Sequence, residues 1–79
     1  MSNLSVKQAI LWGAEKLRAK NISSARLDSE ILLAFALGKP REFSVFSSQL
    51  SISGSVFNKY KRLIVRRAKY EPVAYLVGH

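Results

Sequence analysis

Four cations in the second half of the chain, Lys59, Arg62, Arg66 and Lys69, recur at intervals of three, four and three. On a helix, at about 100° per residue, that spacing holds them in one stripe beside an apolar face. Such a stripe can grip phosphates or a partner's carboxylates. It can equally be a solvated face whose charges complement a helix C-terminus. Lys61 falls elsewhere on the wheel. Arg67 falls near the middle of the apolar face itself, in register with Val56, Tyr60, Leu63 and Ile64. A guanidinium there needs a carboxylate, or must snorkel out at the helix end. The acids available are Glu15, Asp28, Glu30, Glu42 and Glu71. The expected partner is Asp28 or Glu30, which would tie the long helix to a central one. Arg26 is a second candidate for pairing, at a helix start where exposure is expected.

No other constellation offers chemistry. His79 is the single histidine and the last residue, so it has no second ligand and reads as inert. Neither G-x-G-x-x-G nor G-x-x-x-x-G-K-[ST] occurs, and Gly13, Gly38, Gly54 and Gly78 are scattered. The serines lack a base with which to form a triad, and the chain has no metal-ligand set. No residue is therefore assigned a catalytic, cofactor-binding or metal-ligating role. Thirteen Lys and Arg against five Asp and Glu give a net charge of +8, which favours anionic partners. Nucleic acid is the weaker form of that expectation. Phe57 and Tyr60 project to the apolar side rather than interleaving with the cations, and no tight turn precedes a polar recognition helix.

The elements that must position these residues are helical almost throughout. Ser5 and Gln8 form a capping-box pattern ahead of a helix whose face is Val6, Ile10, Gly13, Ala14 and Leu17. Gly13 on that face predicts close approach of another helix, since no side chain holds the two apart. Leu11 and Trp12 fall off it, either to meet a second neighbour or to stay part-exposed as a contact site. Ser23 or Ser24 is expected to cap a second helix, stopped by Gly38 with Pro40 beyond. Its run Ile31–Leu37 is apolar all round, which marks a central helix packed on several sides. "REFSVFSS" reads as a short helix. Ser51 or Ser53 then caps a long helix reaching about Lys69, whose apolar face also includes Phe57. In "EPVAYLVG", Pro72 takes a favoured first-turn position and Gly78 the stop. The sum is an all-α bundle of about five helices in one 79-residue domain. With no cysteine to staple it, the 48% of residues that are apolar must supply the core. Ile31–Leu37 is far short of the roughly 20 residues that span a bilayer, and the N-terminus lacks signal-peptide character. A soluble, cytoplasmic monomer is expected.

Two stretches go further. "RLDSEILLAFALGKPR", from Arg26 to Arg41, resembles the R-x-D-x-E-x-L-L…G pattern near the start of HemK/PrmC proteins. "RAKYEPVAYLVG", from Arg67 to Gly78, resembles that family's R-x-x-x-E-P-[IV]-x-Y-[IL]-x-G segment. The residues matching the pattern are Arg26, Asp28, Glu30, Arg67, Glu71, Pro72, Tyr75 and Gly78. The resemblance implies an N-terminal helical domain that helps grip a peptide-chain release factor. A Rossmann-like domain holding S-adenosylmethionine would follow residue 79 and methylate the glutamine of the factor's Gly-Gly-Gln loop. The family's Asn-Pro-Pro-Tyr motif and glycine-rich cofactor loop do not occur here, so no catalytic or cofactor residue transfers onto this chain. The matching residues are expected to be architectural, as a charged cluster and a hinge into the next domain, and the apolar ending "EPVAYLVGH" to mark a domain boundary.

Three readings follow. The leading one is the release-factor-recognition domain of such a methyltransferase, with release factors and its own catalytic domain as partners and no catalysis by itself. The second is a free-standing basic helical module that binds RNA or the ribosome. The third is a scaffold that supports the catalytic domain and touches no substrate. The stripe Lys59, Arg62, Arg66 and Lys69 is not part of the family pattern, so its role in gripping an acidic face is a separate expectation.

Overall fold

The computed structural model describes residues 4–78, the side chain of Val45 excepted; His79 lies outside them. The described residues form five helices and no strand, in the order α1 (Val6–Arg18), α2 (Ala25–Leu37), α3 (Arg41–Phe46), α4 (Gly54–Ala68) and α5 (Val73–Leu76). The predicted all-α bundle is thus the observed class. α2 packs against each of the other four helices, as its apolar sequence requires. It is not buried all round, however. Phe35 is 39% exposed, and the ammonium of Lys59 on α4 stands over its ring at 5.3 Å.

Local chemistry sets the helix ends. The Ser5 hydroxyl accepts from Gln8 N–H at 3.1 Å while Gln8 Oε1 accepts from Ser5 N–H at 2.9 Å, completing the capping box. The segment after α3 docks on this same end. Val6 N–H donates to the Leu50 carbonyl at 2.7 Å and Ile52 N–H to the Leu4 carbonyl at 2.9 Å, around an isolated bridge between Ser5 and Ser51. Ser51 is therefore used in docking, and Ser53 caps α4 by accepting from Val56 N–H. Ser24 occupies the N-cap of α2 but makes no capping bond. Its hydroxyl donates instead to the Asp28 carboxylate at 2.8 Å. Gly38 ends α2 at φ 71, a left-handed conformation that costs a side-chain-bearing residue about 1–2 kcal/mol. Pro72 sits at the N-cap of α5, one residue ahead of the expected first-turn position.

The core lies where α1, α2 and α4 meet. The predicted α1 face, Val6, Ile10, Gly13, Ala14 and Leu17, is entirely buried. It packs with Leu32 and Leu33 of α2 and with Tyr60, Leu63 and Ile64 of α4. Gly13 is the close approach that the sequence predicts. A Cβ built there would collide with the Tyr60 hydroxyl and lie 2.9 Å from both Tyr60 Cζ and Ile64 Cδ1. The gap lets Tyr60 bury completely and donate its hydroxyl to the Ala9 carbonyl at 2.9 Å. Burial pushes the ionisation of that hydroxyl well above the tyrosine value of 10.0, and the nearby Ser29 hydroxyl offsets only part of the rise.

Two predictions follow from this contact. Gly13→Ala should lower stability by about 1–3 kcal/mol despite its better helix propensity, because the buried ring has nowhere to move. Gly54→Ala, with open space around it, should be neutral or stabilising by up to about 1 kcal/mol. Urea denaturation of the two variants, side by side, separates packing from propensity. The second concerns pH. Above pH 10.0, the ordinary tyrosine value, the unfolded chain releases the Tyr60 proton while the folded chain keeps it. Its contribution to stability is therefore full below that pH and is lost as pH rises further. Tyr60→Phe should cost about 1 kcal/mol at neutral pH and flatten the loss of stability above pH 10, read from denaturation midpoints at a series of pH values.

Candidate docking surface

α4 ends in a turn that arranges three charged groups at once. Tyr70 adopts φ 70, uncommon for a residue with a side chain. Its hydroxyl donates to the Lys20 carbonyl at 2.9 Å, which fastens the end of α4 to the turn after α1. The reversal brings Glu71 back under the last turn of α4. Arg66 then grips the Glu71 carboxylate through both Nε and Nη2, the shortest contact being 2.7 Å. This pairing raises the Arg66 pKa and lowers that of Glu71, the Arg66 hydrogen bond being the largest cause for the acid. Arg67 Nη1 donates to the Glu71 backbone carbonyl at 3.2 Å.

Arg67 finds its carboxylate on α2. Its Nε donates to Asp28 Oδ2 at 2.9 Å, and Ser24 donates to the same oxygen. The side chains of Arg67 and Asp28 are 19% and 7% exposed. Of the two acids expected, Asp28 is therefore the partner. Glu30 lies one helical face away and pairs with Arg26 at 3.0 Å and with Arg41 at 3.2 Å. Arg26 is exposed, as its place at a helix start predicts. No buried side-chain polar atom among the described residues lacks a hydrogen-bond partner.

The remaining pattern residues sit at the same end. Pro72 caps α5, Gly78 follows the helix at φ 80, and Leu76 is buried with Val73 and Val77 packed against the core. Tyr75 points out of the bundle, 77% exposed. The structure does not keep the basic stripe uniform. Arg66 is engaged by Glu71 and Lys59 stands over Phe35, while Arg62 and Lys69 are exposed and form no ion pair among the described residues. Lys61 projects elsewhere, as its wheel position predicts, and lies 5.9 Å from the Phe57 ring centre. Trp12 meets a second neighbour: its ring packs edge-on against Phe57 at 5.3 Å and tilted against Tyr60 at 6.1 Å. Leu11 stays exposed.

Gly13 is filled by Tyr60 and the other glycines sit at helix ends, so no glycine-rich turn forms a phosphate cradle. No group of three metal-ligating side chains occurs among the described residues. Among the described residues, no helix is long and apolar enough to cross a membrane.

Residues 8–78 match the PrmC N-terminal domain family. A release factor glutamine methyltransferase of Pseudomonas aeruginosa is 45% identical over 56 residues, covering 71% of this chain and 20% of that protein. One of Shewanella oneidensis is 30% identical over 73 residues, covering 92% and 25%. A bifunctional methyltransferase of Rickettsia felis is 32% identical over 74 residues, covering 94% and 14%. The chain thus spans a quarter or less of the length of these relatives. No solved structure matches it.

The ion pair across α2 and α4 is open to direct test. Arg67→Ala should destabilise the chain by about 3 kcal/mol, the low end for a broken buried pair because Arg67 keeps some solvent contact. In a double-mutant cycle with Asp28→Asn, the double variant should lose less stability than the two single variants summed. Additive losses, or a melting temperature within a degree or two of the parent, would remove the tie.

Proposed function

The chain belongs to the PrmC N-terminal domain family, and from that premise we propose that it is the substrate-recognition domain of a protein-(glutamine-N5) methyltransferase acting on peptide-chain release factors. The observation that carries this reading is the match over residues 8–78, with relatives named release factor glutamine methyltransferases. In this reading a Rossmann-like domain follows residue 79, binds S-adenosylmethionine and supplies the methyl group to the amide nitrogen of the Gly-Gly-Gln glutamine. The chain itself does no chemistry. It binds the factor and holds it at a fixed distance from the catalytic domain, so that the glutamine side chain reaches the methyl donor in a reactive orientation. The turn at Tyr70–Pro72 and the exposed Tyr75 form the side facing that domain. Arg62 and Lys69, the stripe cations engaged by neither a carboxylate nor an aromatic ring, meet an acidic face of the factor. The protein acts as a cytoplasmic monomer.

Removing residues 1–79 from the full-length enzyme should lower kcat/KM for intact release factor by about tenfold or more, mostly through KM. Methylation of a short Gly-Gly-Gln peptide should change little, since the peptide cannot span both domains. Equal losses on both substrates would make the chain a scaffold. A gene that stops at residue 79, with RNA or ribosomes retaining the chain, would make it the basic module that the +8 charge also suits.

A further inference from the structure

Between α1 and α4 runs an open groove of about 470 Å³. Its floor is apolar, built from Trp12, Ile64, Val65 and Ala68, and Val65 is 47% exposed there. Its rim is basic on both sides: Lys16 and Lys20 from α1 and the turn after it, Lys61 and Lys69 from α4 and its cap. No carboxylate lines it. All four ion pairs among the described residues use arginine and none uses lysine. The rim ammonium groups are thus left without a direct carboxylate partner among the described residues, Lys69 acting on Glu71 only through space.

An apolar floor calls for an apolar occupant, and two lysine rims call for carboxylates on both of its flanks. We infer that this groove docks an acidic amphipathic α-helix of a partner protein, aliphatic side chains on the floor and Asp or Glu against each rim. The helical form follows from the spacing. Lys61 and Lys69 are eight residues apart, about 12 Å along α4, which carboxylates two turns apart on a helix lying along the groove can match. A nucleic-acid strand fits less well. The Trp12 ring already has the Lys16 ammonium over it at 5.7 Å and Phe57 at its edge, and the rest of the floor is aliphatic. A second copy of the chain is disfavoured by its +8 charge. The inference goes beyond the reading above, since it does not require the helix to belong to a release factor.

Trp12 is the only tryptophan in the chain, so its emission reports on this groove alone. The probe is a synthetic helical peptide of about 15 residues with leucines at i, i+4 and i+7 flanked by glutamates. It should shift Trp12 emission to the blue and saturate. Its affinity should fall about tenfold or more between about 50 and about 300 mM salt. The double variant Lys61→Glu with Lys69→Glu should bind at least about tenfold more weakly while staying folded, both positions being exposed and only the Lys69 charge at the helix end lowering its melting temperature modestly. Unchanged emission, equal binding by the folded double variant, or stronger binding of an oligouridylate at Trp12 would overturn the inference. So would sedimentation showing dimers that shield Trp12. Amine footprinting of a longer gene product that finds Lys61 and Lys69 protected without a partner would give the groove to that protein's own chain, and overturn it too. Release-factor binding that leaves Trp12 emission unchanged would remove the groove and keep the earlier reading.

Discussion

Tyr60 occupies the space that a side chain at position 13 would need, and its hydroxyl reaches the backbone of α1 at Ala9. That contact fixes how closely α4 can lie on α1, and much of the remaining structure depends on it. With Tyr60 seated, Ile64 falls against the same glycine and Trp12 is brought onto Phe57 and Tyr60. The hydrogen bond also removes the penalty of burying a phenol hydroxyl, which would otherwise cost about 1–3 kcal/mol. In a domain this small, where the net margin of folding is a few kcal/mol, one such contact is a large share of the whole.

A second tie, from Arg67 to Asp28, sets α4 on α2. Buried ion pairs are weak sources of net stability, since desolvating both charges offsets their attraction. Their leverage lies in what they forbid. Sliding α4 by one turn would carry Arg67 away from Asp28 and leave that buried carboxylate with the Ser24 hydroxyl as its one side-chain partner. The left-handed turn at Tyr70 belongs to the same device, because it returns Glu71 to both arginines. The pattern residues Arg67, Glu71 and Pro72 therefore act together: a positioned turn leading into α5.

Charge is divided by residue type. Asp28, Glu30 and Glu71 are taken up by Arg26, Arg41, Arg66 and Arg67, whose planar guanidinium suits fixed geometry. The lysines, with flexible stems and strongly hydrated heads, are left around the surface. Internal architecture thus consumes most of the acids and leaves the positive field to partners.

How much of this was legible in the sequence differs by feature. The five helices, the cap at Ser5, the stop at Gly38 and the need for a close approach at Gly13 could all be read, because each shows in residues within a turn or two of one another; the α4 cap could be narrowed only to Ser51 or Ser53, and the bridge of Ser51 to Ser5 leaves Ser53 to cap. The need of Arg67 for a carboxylate was legible from its place on the apolar face. The choice between Asp28 and Glu30 was not, since two residues along a helix are about 200° apart and only the packing of α4 on α2 selects one. Nor could a helical wheel show that Ser24 serves Asp28 rather than the helix end, that Glu71 folds back onto Arg66, or that Lys16, Lys20, Lys61 and Lys69 ring one groove. Local periodicity determined which residues face inward. Which inward and outward faces meet depends on contacts between residues some 40 to 50 positions apart, such as Arg67 with Asp28 and Tyr60 with Ala9, and those only the tertiary structure decided.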